Sequence, residues 1–270
     1  PYHGIRKLFH KDAVIATGAS PLFRLAPYVV FGAMVAAAAV IPSMGTGLPF
    51  RSAADAIALV GLLAIARVFM SLAAMDIGTA FGTLGARRDM MIGFLAEPAL
   101  LMVIFVASLI SATTALPLIA ERLVVQPLAL YPSLAFTAVA FTMVLLAENA
   151  RIPVDNPATH LELTMIHEAM LLEYSARHLA LMEWAAALKL FNYACIGFAL
   201  FVPWGTSIGE TGIGALALSI PALLAKLVVA GLWLALLETV SAKLRVFRAP
   251  EFLATAFMFA VLGLLVHLLL

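Results

Sequence analysis

The sequence predicts an all-α bundle of transmembrane helices, and three observations support this fold class. Of the 270 residues, 64% are apolar and only 11% are charged, whereas a soluble domain carries about 25% charged residues. The mean hydropathy is +1.08. The apolar residues gather into runs of about 20, which is the length that crosses about 30 Å of hydrocarbon as a helix. We therefore expect a single membrane domain covering residues 1–270.

The composition also excludes several classes of function. The net charge is +1, which gives no indication of nucleic-acid binding. Cys195 is the sole cysteine of the sequence, and one thiol cannot form an internal disulfide, a cysteine-based zinc site or an iron–sulfur cluster. We expect no catalytic residue and no metal in this chain, so any redox centre must lie in another chain.

The N-terminal residues predict a short helix rather than a first span. In residues 2–12, Ile5, Leu8 and Phe9 fall on one side of a helix, and the basic side chains surround the other. This pattern is typical of a helix that lies on the membrane surface; a basic loop next to the membrane is the alternative. We expect no signal peptide in these residues. The chain starts with Pro1, and we expect residues before it.

Seven apolar runs then predict membrane spans. They lie near 24–42, 55–80, 90–115, 127–148, 178–203, 213–238 and 250–270. No internal repeat is visible, although a transporter built from inverted repeats would more often show one.

The basic residues predict the orientation of these spans. If the N-terminal segment is cytoplasmic, the opposite side holds only Arg51 and Arg122. The cytoplasmic side then holds Arg6, Lys7, Lys11, Arg24, Arg87, Arg88, Arg151, Arg177, Lys243, Arg245 and Arg248. Cytoplasmic loops carry an excess of Lys and Arg, so the charged segment 148–177 is predicted to be cytoplasmic.

Ionisable residues inside the predicted spans are the first candidate functional group. Each costs about 2.5–3.5 kcal/mol or more in the bilayer. Three bases fall near the midplane, and the acids fall in the cytoplasmic half or at its edge: Arg67, Lys189, Lys226, Asp76, Glu97, Glu183, Glu238 and Glu148. Low dielectric raises the pKa of a carboxylate and a nearby cation lowers it, so this set predicts a proton path. Ion pairing between helices, without transport, is the alternative.

Two features accompany the third span. Pro98 follows Glu97, which favours a kink with local water beside the carboxylate, or a purely structural kink. The stretch "GTAFGTLGARRDMM" over 78–91 predicts a cytoplasmic turn. Its Arg87 and Arg88 would either hold carboxylates of a partner or fix the topology.

The segment 148–177 is unusually charged for this chain. Pro153 and Pro157 flank Asp155, which predicts a rigid extended loop over 151–157. Thr159 with Glu162 forms a capping-box pattern, so a helix is predicted from about His160 to Ser175. Glu162 and Glu173 would then share a face about 16 Å apart. We expect the charged side chains of this segment to face a partner or line a cavity. The alternative is that they are ordinary solvent-exposed charges of a loop.

His160 and His167 are seven residues apart in this predicted helix. That places them about 10 Å apart, too far to share one metal ion.

The motif "AENARIPVDNPATHLEL" at 147–163 resembles the signature loop of the complex I membrane subunit that lies beneath the peripheral arm. The matching residues are Ala147, Glu148, Arg151, Pro153, Asp155, Pro157, Glu162 and Leu163, followed by Glu173, Tyr174 and Ser175. Glu97 matches a carboxylate of that family. Val154, Ala158, His160 and Ala176 depart from the pattern, and these departures are similar to the formate hydrogenlyase subunit 4 and hydrogenase-4 component C branch.

The resemblance implies eight spans, of which the first is absent here, in a bacterial or archaeal cytoplasmic membrane. It implies partners that carry the redox chemistry: an iron–sulfur subunit and a hydrogenase-like large subunit, with iron–sulfur clusters and a nickel–iron centre, beside antiporter-like membrane subunits in the lipid bilayer. The expected docking and coupling residues are Arg87, Arg88, Arg151, Pro153, Asp155, Pro157, Glu162, Glu168, Glu173 and Tyr174.

Three alternatives remain open at the level of the sequence. The first is a subunit that lines a quinone cavity in a complex I-type enzyme, although the loss of loop acids counts against quinone binding. The second is a stand-alone ion transporter. The third is a passive scaffold, in which the buried acids would take no part in ion translocation.

Overall fold

The computed structural model describes residues 2–16, 18–47, 54–125, 131–155, 166–208, 213–242, 244 and 248–269. In this part of the chain, ten helices and two isolated β-bridges make up the regular structure. The helices are α1 (Tyr2–Phe9), α2 (Pro21–Val40), α3 (Ala56–Asp76), α4 (Ala80–Ser111), α5 (Leu116–Val125), α6 (Pro132–Glu148), α7 (His167–Leu171), α8 (Ala176–Phe201), α9 (Ile213–Val240) and α10 (Ala249–Leu269).

The predicted fold class is confirmed. Among the described residues, six helices are long and apolar enough to cross a membrane: α2, α3, α4, α8, α10 and the segment Ala217–Val240 of α9. The shorter apolar helix α6 lies within the predicted fourth span. A helix is present as α1 within the segment 2–12 where one was predicted, and its position on the membrane surface stays a prediction. The sequence did not predict α5 as a separate helix.

Local signals in the sequence set several helix ends. The Ser20 side chain accepts a hydrogen bond from the backbone N–H of Leu22, and Pro21 occupies the first position of α2, where its missing N–H costs nothing. Asp55 caps α3 in the same way through the N–H of Ile57. Helix α4 ends at Ser111, and the following residue, Ala112, adopts a left-handed conformation with φ of 49°.

Helix α4 starts earlier than the sequence predicted. The turn before it is confined to 77–79, where Gly78 has φ of +73°. The predicted turn over 78–91 is therefore wrong for most of its length, because Arg87 and Arg88 lie in the helix. The 32 residues of α4 span about 48 Å, more than the hydrocarbon thickness. The helix also continues through Pro98 without interruption.

The helices pack around a core in which α10 lies against α4 and α6, α2 lies against α3 and α8, and α3 lies against α4. Small residues permit close approach. A Cβ atom at Gly263 of α10 would lie 2.7 Å from Thr137 Cγ2 of α6 and 3.0 Å from Ser133 O. Such contacts between small residues are typical of membrane helix pairs. Helix α9 is the exception, because most of its described side chains are exposed.

The ends of the bundle are distinct. At one end, which we call the loop end, the N–H of Leu244 donates to Pro153 O at 2.8 Å and Arg151 follows α6. At the other end, the N–H of Ser207 donates to Met44 O at 3.1 Å. Asp55 and Ala115 form an isolated antiparallel β-bridge at the same end.

The loop end differs from the prediction in two respects. Residues 152–154 form a turn rather than an extended loop, because the N–H groups of Val154 and Asp155 both donate to Arg151 O, at 3.0 and 3.2 Å. Helix α7 ends at Leu171, so the predicted helical end at Ser175 is wrong and Glu173 lies beyond the helix. Pro157, Thr159, His160 and Glu162 lie outside the described residues.

Candidate functional site: a buried ion-pair cluster

A buried carboxylate lies at the junction of three helices. Glu148, the last residue of α6, is 2% exposed. One of its oxygens pairs with the Arg67 guanidinium of α3, and the other lies 2.9 Å from Lys189 Nζ of α8. The sequence placed Glu148 at the edge of the membrane, but the structure encloses it between two cations. The phenol of Tyr193 lies beside the same carboxylate.

Arg67 connects this carboxylate to helix α4. Its guanidinium Nη1 lies 3.1 Å from Glu97 Oε1, and its Nε lies 3.9 Å from Asp89 Oδ2. The guanidinium crosses α4 at Gly93, where an added Cβ atom would lie 2.8 Å from both Cδ and Cζ of Arg67. The absence of a side chain at Gly93 therefore provides the space in which Arg67 reaches its carboxylates.

Asp89 extends the cluster towards the loop end. It is 3% exposed, and Ser71 Oγ donates to its Oδ2 at 3.2 Å. His167 Nε2 lies 3.3 Å from Asp89 Oδ1, while His167 Nδ1 lies 3.6 Å from Asp155 Oδ2. The backbone N–H of His167 also faces Asp155 Oδ2, at 3.4 Å. A single imidazole thus lies between two buried carboxylates.

The contacts form one continuous path, which we call the charged chain. It runs from the loop to the middle of the bundle through Asp155, His167, Asp89, Arg67, Glu148 and Lys189, and Glu97 joins it as a branch at Arg67. Between Asp89 and Lys189, three carboxylates face two bases. The described side chains of this cluster therefore carry more acids than bases.

The structure brings together four of the eight residues predicted for the proton path: Arg67, Glu97, Glu148 and Lys189. The other four have separate surroundings in the described part of the chain. Asp76 accepts a hydrogen bond from the N–H of Ser20 at 2.9 Å. Glu238 pairs with Arg151 at 3.4 Å, Glu183 is exposed on α8, and Lys226 lines an apolar cavity. Their place in a proton path stays a prediction.

Sequence reasoning missed Asp89, Ser71 and His167 as members of the path. A helical spacing could have indicated two of them. Asp89, Gly93 and Glu97 follow one another at intervals of four residues on α4, and Arg67 and Ser71 show the same interval on α3, so each set shares a helix face. No such spacing indicates His167, because its partners lie on other elements.

The residues predicted for docking differ in how firmly the fold holds them. The Tyr174 hydroxyl donates to Phe23 O at 3.1 Å, and its ring stacks on the Phe23 ring with centroids 4.0 Å apart. Burial, with the nearby Asp76 carboxylate, raises the pKa of Tyr174, so its phenol stays protonated.

The remaining docking residues differ in exposure. Asp155 is buried at 3%, Glu168 and Arg88 are half-buried, and Glu173 and Arg87 are exposed. Pro157 and Glu162 lie outside the described residues.

The fold and the cluster define a class: a polytopic helical membrane protein in which a buried chain of ionisable groups reaches a charged loop at one end. Comparison with known proteins narrows this class. The chain belongs to the NADH dehydrogenase family, which it matches over residues 1–269, so the resemblance read from the sequence is confirmed.

Two relatives come from Escherichia coli (strain K12). The chain is 32% identical to formate hydrogenlyase subunit 4 over 262 residues, which cover 97% of this chain and 84% of that protein. It is 33% identical to hydrogenase-4 component C over 204 residues, which cover 76% of this chain and 64% of that protein.

The fold itself is similar to that of a solved chain. That chain belongs to the membrane-bound sulfane sulfur reductase, an archaeal respiratory membrane complex. The TM-score is 0.83, the similarity covers 99% of this chain and 86% of the other, and 20% of the residues are identical. This comparison supports the fold alone.

Proposed function

We propose that this chain is the membrane subunit of an energy-converting oxidoreductase complex of the formate hydrogenlyase or hydrogenase-4 type, in which it couples electron transfer to ion translocation. The relatives bear the names of subunits of such complexes. The observation that carries the proposal is the charged chain, which joins Asp155 at the loop end to Lys189 inside the bundle.

The charged chain begins at Asp155, at the loop end, and this position indicates where partner subunits bind. A peripheral arm, formed by an iron–sulfur subunit and a hydrogenase-like large subunit, docks on the loop end around 148–177. That arm holds the iron–sulfur clusters and any nickel–iron site. The loop end faces the cytoplasm of a bacterial or archaeal cell, and antiporter-like subunits continue the complex within the membrane.

Coupling starts at the imidazole between the two carboxylates. A change of charge or position in the docked arm acts on Asp155, because Asp155 lies in the loop that the arm covers. His167 then exchanges a proton between the Asp155 side, at Nδ1, and the Asp89 side, at Nε2. Histidine suits this step because each ring nitrogen can accept or donate a proton.

Arg67 transmits the change into the bundle. When Asp89 is protonated it no longer attracts the guanidinium. The guanidinium of Arg67 then interacts more strongly with the carboxylates of Glu97 and Glu148. Burial strengthens this effect, because charges at 3–4 Å interact several-fold more strongly in a protein interior than in water. Coupling energies between two sites are typically about 1–3 kcal/mol, enough to load or unload a proton at Glu97 or Glu148.

The test measures ion translocation and electron transfer separately in inverted membrane vesicles that contain the whole complex. Electron transfer is driven with reduced viologen and followed as hydrogen evolution, while acidification or sodium uptake inside the vesicles reports translocation. We expect Glu148→Gln and Glu97→Gln to keep electron transfer and to lower translocation at least tenfold. Glu251→Gln, on an exposed site at the start of α10, is the matched control and should change neither.

The opposite result has a clear meaning. If both variants assemble with the arm and translocate ions at the wild-type ratio to electrons, the buried carboxylates take no part in coupling. The chain would then serve as a passive scaffold, and the proposal would be wrong.

A further inference from the structure

An open apolar groove lies between α6, α8 and α9. It has a volume of about 700 Å³. Aromatic and aliphatic side chains line it, including Phe141, Phe198, Phe201 and Trp233, together with the ammonium-bearing Lys226. The loose packing of α9 against α8 leaves this groove open along the bundle.

Lys226 has no carboxylate partner in the described part of the chain. Its Nζ lies 5.8 Å above the Phe198 ring, and the neighbouring titratable group is the buried thiol of Cys195. Lys226 lies 13 residues after Ile213 and 14 before Val240, about 20 Å from each end of α9. A lysine at that depth cannot carry its charge to the membrane surface by extending its side chain.

The face of α9 that turns away from the groove is also exposed. Leu224, Val228, Leu232 and Leu236 recur every four residues and are each more than half exposed. A stripe with this spacing forms one face of a helix, and it runs past the level of Lys226. The stripe is centred about 140° around the helix from Lys226, so it forms a separate face, whereas Lys226, Val229 and Trp233 share the face that lines the groove. The groove therefore presents the surface, next to Lys226, that packs against another transmembrane helix.

We propose that this surface receives a transmembrane helix of a partner membrane subunit, and that this helix carries an Asp or Glu that pairs with Lys226. The charge of Lys226 selects this occupant. Lipid tails are neutral and lipid headgroups lie at the membrane surface, so lipid would leave the ammonium without a counter-ion. A second copy of this chain does not supply one, because its deep carboxylates, Glu97 and Glu148, already pair with Arg67 and Lys189.

The inference rests on the proposed function only in requiring that the chain works within a complex. Intramembrane ionisable residues pair with one another or line an ion pathway. A pair between Lys226 and a partner acid would therefore fix the depth at which the two subunits meet.

The first experiment identifies the occupant by photo-crosslinking in the intact complex. A photoreactive amino acid replaces Val229, which lines the groove, and in the control it replaces Met258 of α10, which is 56% exposed. After illumination of membranes, the complex is purified and the crosslinked peptides are sequenced by mass spectrometry. We expect Val229 to crosslink to a membrane-spanning peptide of a partner subunit that contains Asp or Glu, and Met258 not to reach that peptide.

Other products of this experiment overturn the proposal. Crosslinks from Val229 to lipid alone, to another copy of this chain, to residues of its own chain, or to a partner span without an acid would each show that the surface has a different occupant.

The second experiment tests the charge. In Lys226→Glu, the partner identified by crosslinking should fall at least tenfold in the purified complex, and changing its groove-facing acid to Lys should restore it. Lys226→Arg should retain the partner, which separates loss of charge from failure to fold. If Lys226→Glu keeps the full amount of partner, the proposed pair does not exist.

The readout is subunit content, so failure here is distinguishable from failure of the proposed function. Loss of the partner in Lys226→Glu with normal translocation in Glu148→Gln would leave the interface established and the coupling role wrong. The reverse combination would leave coupling intact and this interface wrong.

Discussion

At the scale of single residues, the charged chain depends on a glycine as much as on its charges. Gly93 leaves the space that the Arg67 guanidinium occupies. We predict that Gly93→Ala displaces Arg67 and lowers the free energy of unfolding by about 1–3 kcal/mol, the usual cost of overpacking. Thermal unfolding of the detergent-solubilised complex, with ion translocation in vesicles, measures both consequences.

Gly61→Ala is the matched control for this change. Gly61 lies on α3, the helix that carries Arg67, and a Cβ atom there meets nothing within 4 Å. It should therefore leave stability and translocation unchanged. Equal behaviour of the two variants would show that Arg67 does not need the space above Gly93.

His167 is the second residue on which the coupling depends. We predict that His167→Asn, which keeps a short polar side chain but cannot take up a proton, leaves the arm attached and lowers ion translocation at least tenfold. The reason is that Asp155 and Asp89 would then lack a titratable group between them. Translocation per electron in inverted vesicles, with the amount of arm subunit on the membrane, gives the two readouts.

A His167→Asn complex that translocates normally would remove the imidazole from the path. It would leave the contacts of His167 as purely structural.

Charged residues can be predicted as functional from the sequence when they occur in an otherwise apolar segment. Arg67, Glu97, Glu148 and Lys189 interrupt apolar runs, so they could be predicted as a group. Asp89 is less conspicuous, because it follows two arginines within a predicted turn, where a charge needs no explanation, and only its four-residue spacing to Gly93 and Glu97 indicates it. Its importance comes from Ser71, Arg67 and His167, which other elements bring to it, and no single segment records that arrangement.

At the scale of elements, α7 is the piece that connects the loop to the bundle. It packs on α4 at Gly85, where an added Cβ atom would lie 2.8 Å from Ile166 O and 2.9 Å from Ala169 Cβ. We predict that Gly85→Val pushes α7 away from α4 and separates His167 from Asp89. Limited proteolysis of membranes should then cleave the 149–175 segment faster, and ion translocation should fall.

Gly32→Val controls for the introduction of a β-branched side chain into a span, because a Cβ atom at Gly32 meets nothing within 4 Å. Cleavage of Gly85→Val at the wild-type rate, with translocation intact, would mean that α7 does not depend on this contact.

The turn between α7 and α8 is held by Tyr174. We predict that Tyr174→Phe, which keeps the stacking on Phe23 but loses the hydrogen bond to Phe23 O, costs about 0.5–1.5 kcal/mol. Tyr174→Ala should cost about 3–5 kcal/mol, because it also empties a buried site. Thermal unfolding of the solubilised complex ranks the two variants, and equal losses would show that the ring contributes no packing.

The same tyrosine explains why the helix boundary was predicted wrongly. Local propensity allows a helix through Ser175, and the sequence contains no breaker between 166 and 175. The structure ends α7 at Leu171 because the chain turns to place Tyr174 against α2. A tertiary contact thus overrides a weak local preference, and a sequence without its partner helices does not contain that information.

At the scale of the whole molecule, the number and place of the spans follow from hydropathy, but their arrangement does not. Each predicted run contains or overlaps an observed apolar helix. The spans are apolar on nearly all sides, so a pattern of apolar residues does not select the face that packs. The contacts of α10 with α4 and α6, made through positions such as Gly263, depend on shape rather than on hydrophobicity.

The two ends of the bundle lead to a prediction about sidedness. Leu172 is 54% exposed at the loop end, and Met44 is 38% exposed at the opposite end, beside Ser207. The excess of Lys and Arg around the loop end predicts that this end is cytoplasmic. A membrane-impermeant maleimide should therefore label Leu172→Cys in inverted vesicles stripped of the peripheral arm but not in intact cells, and Met44→Cys in intact cells but not in inverted vesicles.

The parent chain provides the control for this labelling, because Cys195 is 1% exposed and should remain unlabelled in both preparations. Labelling of Leu172→Cys in intact cells would place the loop end outside. The arm would then have no access to Asp155 from the cytoplasm, and the direction of coupling along the charged chain would have to be reversed. Equal labelling of Leu172→Cys and Met44→Cys from one side would contradict the spans themselves, because an odd number of crossings separates these residues in the bundle.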